Sequence, residues 1–238
     1  MFIHSGLLRS RQILRSTFAI LLALCVSPAV FADAPARPAT WAAAVAGVEG
    51  LGNLFQVSPE LYRSRQPTAQ ALKNILAQHP FTDGAQPIRT VVALRVEDGG
   101  DAAVLGKSAA VHYEWLKFSP FSPTDQDVLA FLRIVTDKAS QPVLVHCAQG
   151  SDRTGMMVAI YRIVVQGWSK DDALKEMVEG GYGFHPFFQD LVRYVQKLDV
   201  DALKTRLAQA GPWQNATSAI AENAAGASRG TKTTAAAR

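Results

Sequence analysis

Cysteine is nearly absent from this chain: its 238 residues hold two, Cys25 and Cys147. Charge of one sign is also scarce, with 24 basic against 20 acidic residues. Long apolar runs are limited to one, TFAILLALCVSPAVFA, near the N-terminus. There is no internal repeat. Histidines His79, His112 and His185 show no metal-ligand spacing with Cys147, which excludes a zinc site and leaves no metal or other cofactor expected.

The apolar run ends at Ala32 and follows Arg9, Arg11 and Arg15. A basic region, a short apolar core and small residues at Val30 and Ala32 predict a secretory signal peptide over 1–32, cleaved before Asp33. The core is too short to serve as a membrane span. Lipidation of Cys25 is disfavoured, because Leu24 stands where a small residue is required. The expected product is exported, periplasmic or secreted, with no stable membrane anchor after cleavage.

Cleavage removes Cys25, so the mature chain can form no internal disulfide. A lone cysteine in an oxidising compartment is either buried and inert or kept for its chemistry. Cleavage also removes three of the basic residues and no acidic one, leaving a net charge of about +1. Arg229, Lys232 and Arg238 lie beyond Gly211, so the body is about neutral. Nothing in that balance supports a nucleic-acid partner.

The length suits one domain. Residues 33–52, rich in Ala, Pro and Gly, predict an extended lead-in to a domain over 53–210. Residues 211–238 are small and Ala-rich; they bury too little to offset chain entropy and predict a disordered tail. Between them strands and helices alternate. LFQV and LYRS suggest short edge strands, TVVAL and VHYEWLKF further strands. Thr124 can N-cap a helix through Ala139. TAQALKNILAQ carries helical spacing, Ser169 caps another helix, and Pro186 can start a last one through about Leu198. PVLVH is continuously apolar, as in a strand covered on both faces, and TGMMVAIYRIVVQG is apolar nearly all round, as in a buried helix. The fold class is α/β, with a mostly parallel central sheet flanked by helices.

Between that strand and that helix lies HCAQGSDRTG, residues 146–155. A loop from the carboxyl end of a central strand into a helix N-terminus is where open α/β sheets place ligands. Backbone N–H groups of Ala148, Gln149, Gly150, Ser151, Asp152 and Arg153 can cradle an anion, assisted by the helix dipole. Gly150 lets the loop bend, and the Arg153 guanidinium offers a planar fork to two phosphate oxygens. The same surroundings favour a Cys147 thiolate. A thiolate facing a bound phosphoryl group is a nucleophile in attack position. Thr154 can donate its hydroxyl to the sulfur, and His146 orients the loop from beneath. Arg63 and Arg95, near strand ends, can add positive field at the pocket, though surface solvation or a structural ion pair accounts for each more simply. His185 suggests local packing or capping as readily as substrate contact.

These residues resemble the cysteine–five residues–arginine signature of the protein tyrosine and dual-specificity phosphatase superfamily. The loop is most similar to atypical dual-specificity phosphatases ending in Asp-Arg-Thr-Gly or His-Arg-Thr-Gly. LYRSRQPT at 61–68, TVVALR, and GGYGFH at 180–185 extend the resemblance over about residues 53–199. It implies a metal-free phosphocysteine mechanism: Cys147 attacks phosphorus, Arg153 and the loop amides hold the oxygens, and water hydrolyses the intermediate. Such families often supply a general acid from the loop after the preceding strand. Here that loop, FSPFSPTDQD, has Asp125 and Asp127 only at its end, where helix capping accounts for them. Asp152 and Asp125 are both candidates, and a good leaving group would dispense with either.

The substrate expected is a phosphorylated protein or small phosphoester, with phosphotyrosine and dual-specificity activity first. Inositol polyphosphate or phosphoinositide hydrolysis is the alternative; Ser151 replaces the lysine that several such relatives carry. Rhodanese-like sulfur transfer and phosphate binding without turnover remain as readings of another class.

Overall fold

Val143–His146 (β6) is buried on both faces, as its unbroken apolar character predicts. The computed structural model describes residues 37–211 and Trp213. Around β6 stand Ala43–Ala44 (β1), Phe55–Ser58 (β2), Leu61–Ser64 (β3), Thr90–Ala93 (β4) and His112–Trp115 (β5). The sheet runs β1-β2-β3-β6-β4-β5. The β3, β6, β4 and β5 strands are mutually parallel; β1 and β2 join antiparallel at one side.

Side chains alternate between two cores, following the strand period of two. Leu61, Val92, Val143 and Val145 face one; Tyr62, Val91 and Leu144 face the other. The second core is covered by Ala69–Leu76 (α1) and Asp101–Leu105 (α2). The first is covered by Asp125–Thr136 (α3), Asp152–Val164 (α4), Lys170–Glu179 (α5), Gln189–Lys197 (α6) and Val200–Gln209 (α7). Helix α4 is buried along nearly its whole length, which is why it lacks an apolar stripe.

Several elements differ from expectation. LYRS is not an edge strand: β3 lies between β2 and β6, buried at all four positions. Residues 37–52 are more than a lead-in, since β1 pairs with β2 and Ala42 is buried. Thr124 caps α3 through a reciprocal capping box with Asp127, but the helix stops at Thr136, where the Asp137 carboxylate takes up Ala139 N–H and Ser140 Oγ–H. Helix α6 begins three residues after Pro186 and yields to α7 at a new N-cap, Asp199. The short α2, starting directly after the turn DGG, is not signalled by periodicity. The signal segment and its cleavage point lie outside the described residues. So does the tail, apart from Gly211 and Trp213, whose Nε1 donates to Glu114 at 3.1 Å. No helix among the described residues is long and apolar enough to cross a membrane.

Glu176, on α5 and 1% exposed, ties three parts of this fold together. It accepts from Arg162 Nε at 2.8 Å and Nη2 at 2.9 Å, from Ala42 N–H at 2.6 Å and from the Tyr182 hydroxyl at 2.8 Å. Removing one partner of a buried pair leaves the other charge uncompensated. Glu176→Ala is therefore expected to lower the unfolding free energy by about 3–5 kcal/mol. Asp190→Ala, which breaks an exposed pair with Arg193, is expected to change it by less than about 1 kcal/mol. Urea denaturation of both variants measures the contrast.

Candidate active site

The parallel register sets Ser64, His146 and Ala93 side by side at the carboxyl ends of β3, β6 and β4. The chain leaving His146 therefore enters a loop flanked by two other strand ends. Cys147 begins it, 2% exposed, and Arg153 lies in the first turn of α4.

The carbonyls of the loop are held from outside, one after another. Gln66 N–H donates to Ala148 O at 3.2 Å, Asn53 Nδ2 to Gln149 O at 3.0 Å, and Arg63 Nη2 to Gly150 O at 2.6 Å. In a planar trans peptide the following N–H points the opposite way. Those anchors therefore turn the amides of Gln149, Gly150 and Ser151 inward. Gly150 N–H indeed donates to Cys147 Sγ, at 3.3 Å. Ser151, the N-cap of α4, makes no capping bond; its hydroxyl donates instead to Tyr182 O at 2.6 Å. The first N–H groups of α4 thus remain for an anion, at the positive end of the helix.

Gly150 is required twice over. Its φ is +73°, a region that favours glycine, and an added Cβ would lie 2.4 Å from Ser64 O and 2.6 Å from Arg65 N. Arg63 beneath it is fully buried, not a surface cation. Its guanidinium lies 3.6 Å from the Tyr182 ring centre. Burial pushes its pKa down to about 10, partly offset by Tyr182, Glu176 and Cys147, so it stays charged at neutral pH.

The remaining predicted residues fall into distinct places. His146 is fully buried, and burial holds its pKa below the usual value against the opposing pull of Asp101 at 3.8 Å. It is a neutral floor residue. Thr154 Oγ1 is buried and makes no hydrogen bond, to sulfur or otherwise, among the described residues. Arg153 is half-buried and reaches Leu94 O only at 3.4 Å, leaving most of its fork unengaged. Arg95 donates to Gln66 Oε1 at 3.2 Å.

The two carboxylate candidates separate sharply. Asp125 is an exposed tie between helices, accepting from Tyr194 Oη at 2.6 Å and Arg206 Nη1 at 2.8 Å. Neither partner belongs to the loop. Asp152 stays in the site but is engaged by His185, whose N–H lies 2.8 Å from Oδ1 and whose Nδ1 lies 2.9 Å from Oδ2. For His185 the sequence leaves local packing or capping and substrate contact equally open; its signal is the GGYGFH segment. Tyr182 lies in the same segment, and Asn53 carries no signal. His185, Asn53, Arg65, Gln149 and Ser151 share a cleft of about 290 Å³ beside the loop.

A buried cysteine facing inward-turned amides, with an arginine at the start of the next helix on this sheet, defines a cysteine-dependent phosphatase of the protein tyrosine phosphatase type. Residues 56–188 match the family model described as DSP-PTPase phosphatase fused to NAD+ kinase. The dual specificity protein phosphatase TpbA of Pseudomonas aeruginosa is 39% identical over 176 residues, 74% of each chain. The crystal structure of P. aeruginosa TpbA in complex with phosphotyrosine superposes with a TM-score of 0.59 at 37% identity, covering 72% of this chain and 98% of that one. An inositol diphosphatase of Arabidopsis thaliana is 36% identical over 89 residues, 37% of this chain and 42% of that one. The chain belongs to the dual-specificity phosphatase family.

Gly150→Ala tests the loop geometry. The Cβ forces the loop away from β3, and displacements near 1 Å cost about 10²-fold in rate. We expect at least that loss in kcat/KM on an aryl phosphate, with the far-UV circular dichroism spectrum retained.

Proposed function

We propose that this chain is an exported, metal-independent phosphatase that hydrolyses phosphomonoesters through a phosphocysteine intermediate, with phosphotyrosine as the leading substrate. The observation that carries this reading is the row of anchored carbonyls, which aims consecutive amides at the space before Cys147 Sγ. A phosphoryl group there meets donors for its equatorial oxygens, the Arg153 fork and the sulfur nucleophile together.

The thiolate attacks phosphorus, the S–P bond forms, and the ester oxygen departs. Water then attacks phosphorus, the S–P bond breaks, and the thiolate returns. The amides and Arg153 hold the transferring oxygens through both steps, so the same donors serve each.

Phosphotyrosine is favoured by the likeness to TpbA, whose solved complex contains it. The exposed rings of Phe121 and Phe187, packed edge-on at 5.9 Å, add an apolar rim suited to an aryl ester. Inositol polyphosphate hydrolysis is the second reading, supported by Arg65 in the cleft beside Gln149 and by the Arabidopsis relative. Export rests on the basic and apolar segment before Asp33. The exported protein is expected to begin at Asp33, which intact mass measurement of the recovered chain checks.

The deciding experiment is hydrolysis of para-nitrophenyl phosphate in EDTA by the mature protein and by Cys147→Ser. We expect turnover in the parent and none in the variant. Equal activity in both, or dependence on added metal, overturns the reading. A panel of phosphotyrosine peptide and inositol polyphosphates then ranks the two substrates.

A further inference from the structure

Resting on the phosphatase reading above, we infer that His185 is the general acid that protonates the leaving oxygen, with Asp152 as its positioning residue. The β5–α3 connection, residues 116–124, contains no aspartate or glutamate. Asp125 and Asp127, just beyond it, are bound in a helix tie and a capping box. That leaves Asp152, at the start of α4.

Asp152 is arranged as an acceptor. Oδ1 takes the His185 backbone N–H at 2.8 Å, and Nδ1 lies 3.1 Å from Oδ1 and 2.9 Å from Oδ2. Oδ1 accepts the His185 backbone N–H, and with the carboxylate ionised the ring nitrogen beside it is the protonated one, Nδ1–H. A carboxylate holding Nδ1–H fixes the ring and leaves Nε2 as the nitrogen that exchanges a proton. Nε2 makes no hydrogen bond among the described residues, and the His185 side chain is 54% exposed while that of Asp152 is 10% exposed.

Placement supports the same assignment. His185 shares its cleft with Gln149 and Ser151 of the loop. Ser151 Oγ is bonded to Tyr182 O, so segment 182–185 is fastened to the loop at both ends. The His185 ring meets Phe188 edge-on, and Phe188 meets Phe121 and Phe187. The titratable and charged groups facing His185 are Asp152 from α4, Arg65 from the β3–α1 connection and Tyr182 of its own segment; the β5–α3 connection presents Phe121, which meets Phe188.

In the first step Cys147 Sγ forms its bond to phosphorus, the phosphorus–oxygen ester bond breaks, and the Nε2 proton passes to the departing oxygen. Neutral His185 then takes a proton from the water that attacks the phosphocysteine, which restores the imidazolium and releases phosphate. Protons and bonds balance over the cycle.

The test compares kcat/KM, which reports the first chemical step, for dinitrophenyl, para-nitrophenyl and phenyl phosphate. The parent is expected to depend weakly on leaving group. His185→Gln is expected to lose least on dinitrophenyl phosphate and about 10²–10³-fold more on phenyl phosphate. It is also expected to lose the alkaline limb of the phenyl phosphate profile and to regain rate with added imidazole. Asp152→Asn is expected to share the leaving-group selectivity in weaker form. Equal losses on all three esters, or no loss, overturn the assignment and leave the pair a structural tie. Failure of the phosphatase reading looks different: neither parent nor variant hydrolyses even dinitrophenyl phosphate, and both proposals fall.

Discussion

The buried Arg63 guanidinium, 2.6 Å from the Gly150 carbonyl, is the contact on which the catalytic loop depends. Taking a cation out of water costs several kcal/mol unless it is repaid locally. Here compensation comes from that carbonyl, from the face of Tyr182 at 3.6 Å and from the field of Glu176. Tyr182 stays in place because Glu176 accepts its hydroxyl proton and Arg37 donates to its oxygen. Glu176 in turn is fixed by Arg162 and by the Ala42 amide beside β1. A chain of polar contacts thus runs from the sheet edge, through α5, to one peptide plane in the loop. Turn that plane over and the Gly150–Ser151 amide no longer points into the cradle.

The same network biases the loop electrostatically. Two buried guanidinium groups lie near one buried carboxylate: Arg162 pairs with Glu176, and Arg63 feels only its field. The excess positive charge lies beneath the site in a medium where charges are poorly screened. It adds to the dipole of α4 and to Arg153, and each favours a dianion and a thiolate alike. Buried charge that is costly to the fold is therefore useful at the site, and a phosphate dianion bound there shares in the compensation.

The parts legible in the sequence are those that local pattern determines. PVLVH announces a doubly covered strand, TGMMVAIYRIVVQG a buried helix, and the loop between them a nucleophile and its anion cradle. Thr124 and Ser169 mark helix starts because capping is a contact over three residues. What is illegible is settled by contacts far apart in the chain. Arg63 has the look of a solvent-facing residue in a short strand, and only the arrival of Gly150, 87 positions on, explains its burial. Asn53 supports Gln149 across 96 positions, and His185 meets Asp152 across 33. Polar side chains identify themselves by their partners, and no window of sequence contains both.

Asp152 and His185 show how that limit bears on chemistry. By type alone the aspartate within the loop is the obvious proton donor and the histidine beyond a glycine turn is incidental. The proposed assignment exchanges the roles, because a carboxylate held by the backbone N–H and the ring nitrogen of one residue is placed to orient that ring. The exchange suits the architecture. Asp152 is held rigidly at the start of a buried helix, whereas His185 sits half in solvent on a segment fastened to the loop by Ser151 and Asp152. A nucleophile and its anion cradle need rigidity, since their donors must meet charge as it develops. A proton donor needs access to water, since it must be reprotonated every cycle. Separating the two, with the carboxylate as the hinge between them, lets one loop stay fixed while the group it holds exchanges protons.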